Sequence, residues 1–214
     1  MSIFMPRRGK FADLLSDVST GASVALVEGG NIAWYCVSSG DYEPDLNSGR
    51  VLLARIEAIA RLAWNSSEVN SYAGSTIDQY LTGDYLDLFS PTLRQEIGQT
   101  VLRYTPGNGS NAVTTISRAA FLPSVAELGL QYSGINAEGS ALPVSSALQG
   151  LFTSSGSQVY GWTRSPRTSN TYQSGAVYGD TATVYSVSAQ QYFRPLITLP
   201  ATTLIDPYSY KILL

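Results

Sequence analysis

The chain has 214 residues, enough for one domain with a real core and no covalent staples. Only 14% of residues are charged and the net charge is −3. That excludes the clustered Lys and Arg of a nucleic-acid binder and the composition of a disordered chain. His is absent and Cys36 is the single cysteine, so metal sites built on His or Cys, His-based triads and an intramolecular disulfide are excluded by count.

Taken in chain order, Met1–Gly9 reads as an arm with too little sequence to pack alone. Its basic residues follow a short apolar stretch, the wrong order for a signal peptide. No apolar run approaches the roughly 20 residues that span a bilayer. Lys10–Val18 carries Phe11, Leu14, Leu15 and Val18 at helical spacing and predicts a short amphipathic helix. Ser23–Val27 and Ile32–Val37 read as strands joined by the turn residues Glu28-Gly-Gly-Asn31. Cys36 sits inside the second of these as a small core residue. Val51–Ala63 is rich in Ala and Leu, so helix is the local preference there, with a strand as the alternative at its start.

Ser75-Thr-Ile-Asp78 is a capping box that opens a helix, and Ser90-Pro91 is a second helix start. Thr100–Tyr104 and Ala112–Ile116 read as a hairpin across Pro106-Gly-Asn-Gly109. Ser124-Val-Ala-Glu127 is another capping box, and Ala147–Phe152 one more helical turn. Beyond Val159 the chain reads as strands at Tyr160–Thr163, Ala176–Tyr178, Thr183–Val187 and Leu196–Leu199, separated by Ser/Gly/Thr loops. Helices in the middle and strands at both ends predict an α+β fold: a single domain with mixed or antiparallel sheets and a few short central helices. Its expected extent is 10–205, with an assembly arm at 1–9 and an apolar tail at 206–214.

The most informative segment is Tyr160-Gly-Trp-Thr-Arg-Ser-Pro166 with its later partner Tyr192-Phe-Arg-Pro195. Asn65-Ser-Ser-x-Val-Asn-x-Tyr-Ala-x-Ser-Thr-Ile77, Tyr80-Leu81, Leu86-x-Leu-Phe89, Phe121-Leu-Pro-Ser124 and those two motifs fall in one order. Together they resemble a domain-of-unknown-function family of phages and prophages of Gram-positive bacteria. The likeness covers about Ala22 to Leu204. Many members carry Gly-Val-Arg-Pro or Gly-Ile-Arg-Pro where this chain has Tyr192-Phe-Arg-Pro195. The resemblance implies a virion structural protein or a bacterial surface protein. Its ending is similar to that of C-type-lectin-like folds, an analogy that does not fix function.

Two roles suit the motif residues. In the first, Arg164 and Arg194, each beside a proline (Pro166 and Pro195), pin loops by binding carbonyls or carboxylates, as the rigid guanidinium fork allows. In the second, Trp162, Tyr172 and Tyr178 stack on a sugar ring while Arg164 and Asp180 supply hydrogen bonds. Asp41, Glu43, Asp45 and Asn47 alternate as calcium ligands do, but Leu46 replaces the loop glycine and Leu52 the closing Glu, so a solvated acidic loop is preferred. Asp84 and Asp87 form a commonplace surface pair that could serve glycoside hydrolysis.

The expected function is a non-enzymatic structural protein of a tailed phage particle, made in the host cytoplasm and placed on the capsid surface. Its docking residues are Phe4, Arg7, Arg8, Tyr208, Tyr210 and Leu213. A tail, baseplate or cell-surface carbohydrate-binding adhesin is the alternative. Expected partners are capsid or tail proteins, further copies of the chain and a host glycan; no cofactor, metal, nucleic acid or membrane is expected.

Overall fold

The computed structural model describes residues 12–152 and 160–214. β1 (Asp13–Leu14) leads through one 3-10 turn, Leu15–Asp17, to β2 (Ser23–Glu28) and β3 (Asn31–Asp41). Gly29 and Gly30 join these two with φ of 54° and 84°, the two-residue turn whose twist matches the flanking strands. The helix expected at Lys10–Val18 is therefore absent over residues 13–17, and Lys10 and Phe11 lie outside the described residues.

β4 (Arg50–Arg55) and β5 (Ile59–Ala63) occupy the segment expected to be helical. Val51, Leu52, Leu53 and Ala54 are all at most 2% exposed. β4 lies between β3 and a strand from the far end of the chain. Both of its faces are covered, so it needs a continuous apolar run, and that requirement overrides the Ala/Leu helix preference. The helices α1 (Thr76–Thr82) and α2 (Pro91–Ile97) follow, with N-caps at Ser75 and Ser90 and Pro91 in the first turn. Then come β6 (Thr100–Tyr104), β7 (Thr114–Arg118), β8 (Ala120–Phe121), α3 (Ser145–Leu151), β9 (Gly161–Pro166), β10 (Gln173–Tyr178), β11 (Thr181–Ser186), β12 (Gln190–Phe193), β13 (Leu196–Pro200), β14 (Leu204–Ile205) and β15 (Ile212–Leu213).

The expected α+β class is corrected by this inventory. Strands make up 38% and helical residues 14% of the structure, with only three short helices among the described residues, so the fold is β-rich. Each helix is seven residues long, about two turns, too short to form a layer of its own. The physical reason lies in β4 and β5, where packing turned the longest expected helix into strand.

Two five-stranded sheets carry the structure, in the orders β2-β3-β4-β13-β8 and β11-β10-β9-β12-β5. β6 pairs with β7, and β1-β14-β15 form a small third sheet. The chain crosses from one large sheet to the other at Phe193-Arg194-Pro195, between β12 and β13. Alternate residues enter two apolar clusters: Leu53, Ala176 and Ile197 in one, Leu52, Val177 and Leu196 in the other. The central strands are thus covered on both faces. Among the described residues no helix is long and apolar enough to cross a membrane.

Residues 206–214, expected to form a tail, turn back on the domain instead. Asp206 Oδ1 accepts from the backbone N–H groups of Tyr208 and Ser209, an Asx-type turn. Tyr210 O then accepts from Ala25 N on β2 at 2.9 Å, and Ile212 is buried.

Candidate functional site

Every residue of β9 is buried, so the Trp-x-Arg-Ser-Pro motif faces the interior. Arg164 donates Nη1 and Nη2 to Glu127 Oε2 and Oε1 at 2.6 and 2.7 Å. It also donates Nε to Arg103 O at 2.9 Å, Nη1 to Leu122 O at 2.8 Å and Nη2 to Glu138 O at 3.3 Å. All five guanidinium N–H groups are thereby engaged. Glu127 accepts as well from Tyr42 OH and from Ser124 N at 2.9 Å. Ser124 Oγ in turn accepts from Glu127 N at 3.0 Å, which completes the expected capping box. Only a single turn follows it, closing at Gly129 with φ 70°.

Glu138 is the third charge of this hub. Its Oε1 accepts from Thr105 N and its Oε2 from Ser165 Oγ, both at 2.6 Å. Arg164, Glu127 and Glu138 are each 0% exposed. Burial raises the Glu138 pKa above the usual glutamate range, opposed by Arg164 and by the Ser165 and Thr105 hydrogen bonds. For Arg164, burial works to lower the pKa, but Glu127 and then Tyr42 carry it above its ordinary value.

Two indoles brace the same strand. Trp162 Nε1 donates to Leu62 O at 2.9 Å and Trp64 Nε1 to Thr163 O at 2.8 Å, so β5 and β9 are tied reciprocally where β12 parts them. Asn70 anchors the neighbouring loops. Its Nδ2 lies 2.8–3.0 Å from the carbonyls of Arg167, Asn170 and Gln173, and its Oδ1 accepts from Asn108 N at 2.7 Å. Gly107 (φ 78°) is required beside it, since a Cβ there would lie 2.0 Å from Asn70 O.

Above the hub lie two open clefts of about 640 and 570 Å³ that share Ala137, Gly139 and Ala141 as a common wall. The first is bordered by Glu43, Asp45 and Arg103. Arg103 pairs with both carboxylates, and Asn47 exchanges two hydrogen bonds with the Val101 backbone at 2.8 and 2.9 Å. The alternating acidic loop is thus an ion-paired support. Among the described residues no group of three or more Asp, Glu, His or Cys is placed to hold a metal ion. Tyr132 and Asn136 border the second cleft.

The second motif arginine, Arg194, sits at the crossing between the sheets. It donates Nε to Ile56 O at 3.0 Å and Nη2 to Leu151 O at 2.5 Å, and its guanidinium lies 4.5 Å from the Phe152 ring centroid. Nη1 is buried without a hydrogen-bond partner. Burial, then the nearby Arg55, bring its pKa down to about 10.

The structure separates the residues expected to share a ligand site. Trp162 and Arg164 are interior, whereas Tyr172 is 60% exposed and Asp180 lies exposed in the β10–β11 turn. Tyr178 is half-buried and packs 5.3 Å from Tyr160, which stands 5.0 Å from Tyr185. Pro166 and Pro195 are buried. Of the expected docking residues, Phe4, Arg7 and Arg8 lie outside the described residues. Tyr208, Tyr210 and Leu213 are exposed. Asp87 pairs with Arg94, and Asp84 is exposed.

Sequence reasoning assigned no such role to Glu127, Glu138, Tyr42, Trp64 or Asn70. Glu127 was visible as a capping residue, and Asn70 within the Val-Asn-x-Tyr pattern. Glu138 and Tyr42 stand in polar loop sequence and gave no signal.

One end of the molecule differs from the rest of its surface. Leu14 is opposite Leu204, and Leu204 is opposite Leu213. These three are 37, 46 and 41% exposed, forming a leucine row on the outer face of β1-β14-β15. The adjacent positions Ile205 and Ile212 point into the core, as strand alternation requires. Beside the row, Val27, Leu88, Leu93 and Leu214 line a groove of about 500 Å³.

No curated protein and no solved structure matches this chain. The family match runs over residues 48–201. That stretch holds both motif arginines, the two indoles, Asn70 and the buried hub, and leaves out the leucine row. The chain belongs to the family described as Domain of unknown function (DUF6273).

Proposed function

We propose that this chain is a non-enzymatic structural protein of a tailed bacteriophage particle, a surface-exposed capsid decoration protein that seats its leucine-faced end on a neighbouring shell subunit. The row Leu14, Leu204 and Leu213 carries the reading. Each of these leucines is 37–46% exposed, so covering the row removes only that remaining apolar area from water, and the adjoining groove widens the apolar surface a partner would meet. The row stands outside the family's matched region, which suits a contact particular to this chain's own neighbour. The family resemblance implies a virion structural protein or a bacterial surface protein, the broader class to which this reading belongs.

The ion pairs, most of their carboxylates buried, support a structural role. Glu127 is matched by Arg164, Glu43 by Arg103, Glu28 by Arg55 and Asp78 by Arg118. Each carboxylate is engaged in holding segments together. Burial raises the Cys36 thiol pKa, which leaves it a weak nucleophile.

Purified particles test the proposal. The double variant Leu204→Glu, Leu213→Glu is expected to stay folded by circular dichroism and to be lost from particles in copy-number densitometry. Wild-type copy number in that variant overturns it.

A carbohydrate-binding adhesin of a tail, baseplate or cell surface is the second reading. The cluster Tyr160, Tyr178 and Tyr185 beside the Asp180 turn favours it, since half-exposed aromatic faces with a carboxylate nearby suit a sugar ring. The lectin-like analogy belongs to this reading. A glycan array decides: a signal that Tyr178→Ala removes supports it, and a blank array rules it out.

A further inference from the structure

We propose that β11 is a self-association edge, along which a second copy of this chain pairs antiparallel to join two five-stranded sheets into one of ten strands. β11 is the last strand of its sheet, and all six residues pair with β10 on one side, from Gln173–Ser186 to Tyr178–Thr181. Among the described strands none pairs with its other side. That side presents a row of unpaired backbone donors and acceptors, a template for another strand.

The composition of β11 argues for a copy of itself as occupant. A two-fold axis sets a strand against its own sequence, so any charge on the edge is brought up against the same charge. The strand reads Thr181-Ala-Thr-Val-Tyr-Ser186, with no charge, no proline and strand-favouring residues at Thr181, Thr183, Val184 and Tyr185. With the axis normal to the sheet at Thr183, Thr183 meets its counterpart and Thr181 meets Tyr185 of the second copy. Thr–Thr and aromatic–β-branched pairs are both favourable cross-strand pairs.

The other edges are guarded. β5, at the far side of the same sheet, carries Arg61, which donates to Gln190 O and stacks on Tyr192. β2 carries Glu28 and is covered by the bridge from Ala25 to Lys211. β6 and β7 carry Arg103 and Arg118, and β1, β8 and β15 have only two residues each. Among the described strands β11 is therefore the only edge longer than two residues with neither charge nor proline. One open edge and one guarded edge per sheet give a closed pair and no growing filament.

The purified full chain tests this by light scattering across a concentration series. Wild type is expected to reach twice the mass of one chain. Thr183→Lys and Thr183→Glu are each expected to stay at the mass of one chain, and an equal mixture of the two to recover the doubled mass. Thr183→Cys is expected to give a covalent dimer on oxidation, which reads the same contact without adding charge. Leu213→Glu is expected to leave the doubled mass unchanged, so the result is separate from the particle-docking reading. A wild type that stays at one mass throughout overturns the proposal. So does a doubled mass that survives both charged variants, or a Thr183→Cys chain that gives no covalent dimer.

Discussion

Arg164 and Arg194 come from the two halves of one sequence motif, yet they are buried in different ways. Arg164 is matched by a bidentate carboxylate and three carbonyls, with Glu138 adding a second negative charge nearby. Arg194 has two carbonyls, an aromatic face and a repelling neighbour in Arg55. In the first site the positive charge is required, because removing it strands carboxylates away from water. In the second the flat, forked shape is what packs, and the charge is a cost. Two arginines of one motif therefore need not depend equally on their charge.

The sharpest way to break the contrast is Arg164→Met. We expect a loss of about 3–5 kcal/mol in urea denaturation, the penalty of an unpaired buried charge. Adding Glu127→Leu is expected to return part of that loss, since an apolar pair avoids the penalty altogether. Next in size is Gly161→Ala. A Cβ there would lie 1.8 Å from Phe152 Cε1, and Phe152 is held against Arg194 on its other side. Overpacking of about 1–3 kcal/mol is expected, relieved by Phe152→Leu in the same denaturation series.

Arg194→Met is expected to cost only about 1 kcal/mol. It frees two carbonyls but also removes a poorly matched charge; a loss as large as that of Arg164→Met would erase the distinction between the two sites. The smallest effect concerns Glu138. Its folded pKa is raised above the unfolded value, so the folded state binds the extra proton. Its contribution is complete below the unfolded value of about 4.3 and fades as pH rises through the raised folded pKa. Wild type should therefore gain stability relative to Glu138→Gln as pH falls across that window, measured by denaturant midpoints at stepped pH.

Local chemistry was legible where it acts locally. The Ser75 and Ser90 caps, the Gly29-Gly30 turn and the strands β9, β10, β11 and β13 follow from turn and cap residues or from apolar runs, whereas β12 was not expected. The helix expected across 51–63 was wrong because Val51–Ala54 answer to β3 and β13, and β13 lies well over a hundred residues away. Nothing in a window around Leu52 reports that neighbour. The hub was half legible for the same reason. Arg164 and Glu127 announce themselves by motif and by cap, but their meeting, and the burial of Glu138 beneath a Gly- and Ser-rich stretch, depend on contacts distant in sequence.

The small sheet β1-β14-β15 takes one strand from residues 13–14 and two from residues 204–213. A nascent chain that stops before Ile212 has no complete leucine row, however well its central sheets have collapsed. A chain cut before residue 212 would thus lose the leucine row while keeping every strand of both five-stranded sheets.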